Sequence, residues 1–230
     1  MNPPRRRFLA LLAGLACSAL APAGGWAAIS GDEATQVLRD SLSQSIGVAI
    51  DRLGREDGYY GNPGIRIGLP KNFAKAERYL RALGFGKQVD DLVLASNRAA
   101  EAAVPAAREM LLGEARKIRV VDAKAILAGG DGAATAWFRK NSEANLGARL
   151  APIIHAVAEQ SDLVRSYDAL SSNLVRLAGI KSELATVENY VNRKALHGLY
   201  TLIAEEEHAN RTQSRNAAGS VTGKVFGLLN

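Results

Sequence analysis

Residues 30–54 read SGDEATQVLRDSLSQSIGVAIDRLG, and this stretch decides the fold class. It opens with Ser30-Gly31-Asp32-Glu33, a capping box in which the Ser30 hydroxyl accepts a hydrogen bond from the first turn while the Glu33 carboxylate reaches back to the Ser30 amide. Apolar residues then recur at three- and four-residue spacing until Gly54, a common helix terminator. The members of this stripe are Ala34, Leu38, Leu42, Ile46, Ile50 and Leu53. The stretch therefore predicts a long amphipathic first helix.

Most of the chain after this stretch has the same helical character. Ala, Leu, Arg, Glu and Lys dominate, aromatic residues make up only 6% of the chain, and apolar residues keep recurring every three or four positions. Pro105 and the pair Gly129-Gly130 are the expected helix breaks. No internal repeat and no linker divides the chain. We predict an all-α protein: one multi-helix, bundle-like domain over residues 28–230, with a partly ordered C-terminal tail from about residue 210.

Residues 55–70 are the least helical part of the chain. They read REDGYYGNPGIRIGLP, and their Gly, Asn and Pro residues oppose a helix. Apolar residues at 65, 67 and 69 alternate with Arg66 and Gly68, as in a strand. We expect a loop, one short extended segment near residues 64–69, and a second helix that starts at Pro70. The predicted buried side of that helix consists of Phe73, Ala76, Tyr79, Leu80 and Leu83.

The first 27 residues have the features of a cleavable export signal. A basic cluster at residues 5–7 precedes an apolar run at 8–20 and a series of small residues that ends at Ala27. The apolar run is too short to cross a membrane, so we expect cleavage after Ala27 and a periplasmic protein. The cluster also resembles a twin-arginine signal, although an ordinary secretory signal needs positive charge as well. The residues that carry this likeness are Arg5, Arg6, Phe8 and Leu9.

The single cysteine, Cys17, lies within this segment. A lipid attached to Cys17 after cleavage would anchor the protein to the envelope, which is the alternative to a soluble periplasmic form. We favour the soluble form, because Gly14 stands where bacterial lipoprotein signals usually carry Leu. If Cys17 is removed with the signal, the mature chain has no thiol for a disulfide or a thiolate metal site.

The charge balance argues against a nucleic-acid partner. The chain has 29 Lys and Arg against 23 Asp and Glu, a formal net charge of +6. Residues 1–27 contain three arginines and no acid, so 26 basic and 23 acidic residues remain after signal removal, a net charge of +3. So small a charge gives no sign of the concentrated basic face that nucleic-acid binding needs.

The loop Asp57–Pro63 is the best candidate for a functional site. Tyr59 and Tyr60 supply flat apolar rings with hydroxyl tips, while Asp57 and Asn62 supply hydrogen-bond acceptors. Such a set can hold a saccharide, a peptide or a partner protein. A purely structural interpretation stays open, because Gly, Asn and Pro suit a sharp turn and a tyrosine can fill a core. We favour a non-enzymatic envelope protein that binds a ligand or partner protein through this loop.

The alternative is a carboxylate-dependent periplasmic hydrolase that uses Asp57 and Glu101. General acid-base catalysis needs two groups within reach of one substrate, in environments that separate their pKa values. The sequence does not show whether these two carboxylates meet. A concave pocket that holds both would favour the enzyme, whereas a flat apolar surface around the two tyrosines would favour binding.

Two further motifs have simpler explanations. Glu205 and His208 have the one-turn spacing of a metal-binding pair, but helical di-iron proteins use two such motifs and this chain has one. We interpret Glu205–His208 as a solvated helix face and expect no metal and no cofactor. The turn Gly129–Gly132 offers amides to an anion, but Asp131 is placed to accept from those amides itself. We interpret it as a tight turn between helices.

Five segments of the chain are informative together: Asp57–Pro63, Ile65–Pro70, Asn97–Pro105, Gly129–Thr135 and Asn192–Leu199. They resemble the signature segments of a bacterial family of unknown function, domain-of-unknown-function family 4197. The likeness covers nearly all of the chain after the signal. It implies an exported helical protein of Gram-negative bacteria whose activity is unassigned, and so it supplies no catalytic residues.

Overall fold

The computed structural model describes residues 30–160, 162–178 and 184–216. These residues are mostly helical, and the described part contains no β-strand, which confirms the all-α class. The helices are α1 (Gly31–Leu53), α2 (Lys71–Ala82), α3 (Gly86–Ala103), α4 (Arg108–Ala115), α5 (Val120–Ala128), α6 (Ala133–Gln160), α7 (Leu163–Ala178) and α8 (Leu184–Asn216). A 3₁₀-helix, Val104–Ala107, joins α3 to α4.

Helix α1 begins and ends as the sequence predicts. The Ser30 hydroxyl accepts from the Glu33 amide at 3.1 Å, and the Glu33 carboxylate accepts from the Ser30 amide at 2.9 Å. The hydrogen bond from the Ser30 amide to the ionised carboxylate, with a contribution from the Ser30 side chain, lowers the pKa of Glu33. Gly54 ends the helix at a point where a side chain would collide with Pro105, since an added Cβ would lie 2.7 Å from the Pro105 ring.

The predicted break at Pro105 is confirmed. Helix α3 ends at Ala103, and Pro105 lies in the 3₁₀-helix that follows. Because proline has no amide hydrogen and crowds the preceding turn, the α-helical bonding stops there and restarts at Arg108.

A hydrophobic cluster joins buried residues from every helix of the described part. Helix α8 makes its most extensive contacts with α1 and α6, while α3 packs against α7 and α6. Helix α8 continues to Asn216, beyond the predicted start of the tail near residue 210. This arrangement surrounds α8 with helices and places the 55–70 segment between α1, α3 and α8.

Helix α2 buries a narrower stripe than predicted. Phe73, Ala76 and Leu80 are buried as expected, but Tyr79 is 72% exposed and Leu83 is 58% exposed. At about 100° per residue, Tyr79 is turned away from the buried direction of Leu80, and Leu83 lies just past the end of the helix. The predicted burial of Tyr79 and Leu83 is therefore wrong.

Several predicted features lie outside the described residues. They are the export signal with Arg5, Arg6, Phe8 and Leu9, the cleavage position after Ala27, and the possible lipid-attachment residue Cys17. Within the described ranges, no helix combines the length and the apolar character needed to cross a bilayer.

Candidate binding loop

The loop after α1 is held in one compact conformation by its own backbone. The Gly61 amide donates to the Asp57 carbonyl at 3.0 Å, and the Arg66 amide donates to the Asn62 carbonyl at 2.8 Å. Asp57 has a φ of 62°, which is unusual for a residue other than glycine. At Gly58 an added Cβ would lie 2.5 Å from backbone oxygens of the last turn of α1, so the loop can fold back on α1 only with glycine here.

Glu101 of α3 fastens the inner side of the loop. Its Oε1 atom accepts from the backbone amides of Tyr59 and Tyr60 at 3.0 and 3.1 Å, and its Oε2 atom accepts from Arg98 at 2.6 Å. Glu101 is buried, so these bonds replace the water that its carboxylate and the two amides lose on folding. The loop is thus tied to α3 by a carboxylate about 40 residues further along the chain.

Tyr59 is part of the core and not of the surface. Its ring is fully buried, and its hydroxyl donates to the Ala195 carbonyl of α8 at 2.6 Å. The ring lies against Gly198, where an added Cβ would come within 2.5 Å of it. Burial and the nearby charge of Glu101 raise the pKa of Tyr59. Of the two tyrosines proposed for recognition, Tyr59 is therefore not available to a partner at the surface.

Asn97 of α3 accounts for the segment that the sequence predicts as extended. Its Oδ1 atom accepts from the Ile67 amide at 2.9 Å, and its Nδ2 atom donates to the Ile67 carbonyl at 2.8 Å. A side-chain amide thereby makes the pair of bonds that a neighbouring strand would make. The segment packs Ile65 and Ile67 into the core without forming a sheet, and Pro70 is the residue before α2 instead of its first residue.

The outer side of the loop carries the remaining candidates together with two arginines that the sequence reasoning missed. The Arg66 guanidinium lies 3.9 Å from the centre of the Tyr60 ring, and Arg98 lies 5.9 Å from it. Arg98 also donates to Asp57 at 2.8 Å. Two sequence features could have indicated these arginines: Arg66 is the polar member of an alternating run, and Arg98 precedes Glu101 by one helical turn.

Asn62 acts within the turn. Its side-chain oxygen accepts from the Gly64 amide at 3.0 Å, and its carbonyl accepts from the amides of Ile65 and Arg66. This is the local pattern by which asparagine replaces a backbone acceptor in a turn. Its side-chain oxygen is therefore already used in shaping the loop.

The structure brings Asp57 and Glu101 close together, but they share a salt bridge to Arg98 and do not form a catalytic pair. Both carboxylates bind Arg98, and both oxygens of Glu101 already accept hydrogen bonds from protein groups. A general acid or base must exchange a proton with substrate or water within hydrogen-bond reach. The observed geometry instead suits a clamp that holds the loop on α3.

The acidic run of α8, residues Glu205–Glu207, is not entirely the solvated face that the sequence predicts. Glu207 is 3% exposed and accepts from the amides of Ala134 and Thr135 at 3.1 and 2.8 Å. It lies in the α6–α8 contact, so the interpretation of the whole run as solvated is wrong. His208 bonds to Asp131 at 3.1 Å. Among the described residues, no three His, Cys, Asp or Glu side chains are grouped closely enough to hold a metal.

The turn before α6 also differs from its prediction. The spacing predicts that Asp131 accepts from the amides at the start of α6, whereas the amides of Ala134 and Thr135 donate to Glu207. Sequence proximity favoured Asp131, but the fold packs α8 against this end of α6 and brings a buried carboxylate to the amides.

The model of the family described as "Protein of unknown function (DUF4197)" matches residues 28–227. The chain belongs to this family. Neither a curated protein nor a solved structure matches it. Four of the five segments that carry the resemblance to DUF4197 meet at the loop: Asp57–Pro63, Ile65–Pro70, Asn97–Pro105 and Asn192–Leu199 are joined by the bonds described above. The fifth, Gly129–Thr135, is the site at which Glu207 caps α6.

Proposed function

We propose that this DUF4197 protein is a non-enzymatic cell-envelope protein that binds a ligand or a partner protein through the outer face of the Asp57–Pro63 loop. The observation that carries the proposal is the contrast between the two sides of the loop. Glu101 and Tyr59 fix the inner side, while Tyr60 and Arg66 remain at the surface. A loop that is already ordered loses little conformational entropy on binding, which favours affinity.

The stack of Arg66 on Tyr60 indicates what kind of group the surface would receive. Arg66 forms no salt bridge with any residue that the structure describes, whereas Arg98 is engaged by Asp57 and Glu101. The Arg66 guanidinium lies 3.9 Å from the centre of the Tyr60 ring, and its forked N–H donors match the geometry of a carboxylate or a phosphate. We therefore expect the ligand or partner to carry an anionic group.

The loop proposal is tested by crosslinking and capture from the bacterial envelope. Tyr60→Ala and Arg66→Ala each remove one member of the stack, and Arg116→Ala removes an exposed arginine that has no salt bridge in the described ranges. We expect both loop variants to capture the partner about tenfold less than the wild type, as for central tyrosine and arginine contacts, with Arg116→Ala unchanged. Identical capture by all four proteins would overturn the proposal.

The proposal includes a periplasmic location in a Gram-negative bacterium. It is supported by the twin-arginine-like residues Arg5, Arg6, Phe8 and Leu9, by the small residues that predict cleavage after Ala27, and by a family match that begins at residue 28. Replacing Arg5 and Arg6 together by Lys should block delivery to the periplasm, because the receptor reads the arginine pair. Undiminished delivery of this variant would leave ordinary secretion as the route. Release of the protein by osmotic shock would separate the soluble form from one anchored at Cys17.

A further inference from the structure

Helix α2 presents a row of unpaired cations to solvent. Lys71, Lys75 and Arg78 are spaced so that they follow one exposed ridge of the helix. None of the three forms a salt bridge with a described residue. Arg81 differs, because it bonds to Glu77 at 2.9 Å and to Asp90 at 2.7 Å on the flank of the helix. The ridge therefore keeps three positive charges that the fold does not use.

Two large apolar side chains lie beside this ridge. Tyr79 and Leu83 are separated by one helical turn and are neighbours on the surface. Tyr79, within α2, is 72% exposed, and Leu83, the residue just after the helix, is 58% exposed. Isolated exposed apolar residues are common, but an adjacent pair next to a basic ridge is typical of an interaction surface.

We propose that α2 docks on the surface of a phospholipid bilayer that carries anionic headgroups. The ridge supplies charge complementarity, since each lysine or arginine held near an anionic leaflet favours binding. Tyr79 and Leu83 would enter the headgroup boundary, where tyrosine is favoured and leucine buries apolar surface. The cations and the apolar pair thus contribute to the same contact.

One side of α2 is open to a partner. Helix α2 packs mainly on α3 and α7 and buries Phe73, Ala76 and Leu80, so the side that carries the basic ridge faces solvent. An acidic protein would neutralise the three cations but would not by itself require Tyr79 and Leu83. This contact uses neither the Asp57–Pro63 loop nor Arg66, so it does not rest on the proposed function.

The test is co-sedimentation with vesicles. The anionic probe is a vesicle of phosphatidylethanolamine with phosphatidylglycerol, and the neutral probe is a vesicle of phosphatidylcholine alone. All variants are purified from the same producing cells, so that they share one N-terminus. We expect binding to the anionic vesicles only, weakened by salt. The triple variant Lys71→Gln, Lys75→Gln and Arg78→Gln should bind about a hundredfold more weakly.

Two comparisons make the result specific to α2. A control triple, Lys124→Gln, Lys140→Gln and Arg149→Gln, removes the same net charge from exposed positions of α5 and α6 and should bind as the wild type does. Tyr79→Ser with Leu83→Ser should weaken binding about tenfold by removing the apolar contribution.

Three outcomes would overturn the proposal. The first is that the wild type does not bind the anionic vesicles. The second is an equal loss in both triple variants, which would make the effect one of net charge alone. The third is full binding by the Tyr79→Ser, Leu83→Ser variant, which would show that the apolar pair does not enter the bilayer and that charge alone attracts the protein.

Discussion

Helices α1 and α6 both have N-terminal amides that need acceptors, and they obtain them in different ways. At α1, Ser30 and Glu33 exchange hydrogen bonds across one turn of the same segment. At α6, the acceptor is Glu207 of α8, which binds the Ala134 and Thr135 amides and the Thr135 hydroxyl. The first end is exposed and the second is buried.

The difference between the two helix ends shows that a carboxylate from a distant part of the chain accepts from backbone amides where those amides are buried. An exposed helix end can share its amides with water, so a local cap is sufficient. A buried end has no water to use, and an unsatisfied amide there is costly. The same requirement explains Glu101, which accepts from the buried amide of Tyr59 on the loop. At these sites the buried amides are satisfied by a carboxylate from another helix, whereas the exposed start of α1 is satisfied by its own segment.

Loss of the long-range cap should have the largest effect on stability. Glu207→Ala removes the acceptor of two amides and the ion-pair partner of buried Arg211, whose Nε lies 3.0 Å from Glu207. We expect the free energy of unfolding in urea to fall by about 3–5 kcal/mol. Glu205→Ala, at an exposed position of the same acidic run, should change it by less than about 0.5 kcal/mol. Similar losses from both variants would remove the distinction between buried and exposed carboxylates.

Loss of the loop clamp should have the next largest effect. Glu101→Ala leaves the Tyr59 and Tyr60 amides without their acceptor, so we expect a loss of about 2–3 kcal/mol. Glu101→Gln keeps an acceptor oxygen and should lose less. Limited trypsin digestion at Arg55 and Arg66 is the local readout, and faster cleavage is expected for Glu101→Ala than for Glu101→Gln. Unchanged cleavage in both would show that Glu101 does not order the loop.

Removal of the local cap at α1 should be milder. Ser30→Ala deletes the acceptor of the Glu33 amide at an exposed helix end where water can replace it. We expect the melting temperature to fall by about 2–4 °C. A fall as large as that of Glu207→Ala would contradict the comparison between the two helix ends.

Loss of the exposed hydrogen bond between His155 of α6 and Glu188 of α8 should have the smallest effect on stability. His155 lies 3.1 Å from Glu188, and this hydrogen bond, with the charges of Glu188 and Glu159, raises the pKa of His155 above 6.5. Because the folded state holds the proton more tightly, the stabilisation is present below about pH 6.5 and disappears as the pH rises through the raised pKa. His155→Gln should therefore lower the melting temperature slightly near pH 6 but not near pH 9, and the reverse dependence would contradict this.

The elements that the sequence predicted correctly are those set by neighbouring residues. The capping box, the stop at Gly54, the break at Pro105 and the turn-rich 55–64 segment all depend on contacts within a few positions. The errors concern residues whose surroundings come from elsewhere in the chain. The sequence predicts a solvated Glu207 as part of the Glu205–His208 face, and the apolar spacing of α2 predicts a buried Tyr79, but packing against other helices reverses the first and does not reach the second.

The candidate site was predicted in part for the same reason. Its loop could be found from composition, and Asp57, Tyr60 and Asn62 do lie at or near the surface. That Tyr59 turns inward depends on Gly198, which leaves room for its ring on α8. The joining of Asp57 to Glu101 by Arg98 depends on how α3 packs beside the loop.

The sequence alone determined the all-α class, both ends of α1, the break at Pro105 and the location of the irregular 55–70 segment, because helix propensity, capping and turn formation are local properties. Only the tertiary structure decided which of two adjacent tyrosines enters the core, which glutamate of an acidic run caps α6, and which side of α2 stays open. Each of these depends on the burial of one side chain against distant helices, and burial is a property of the packed chain.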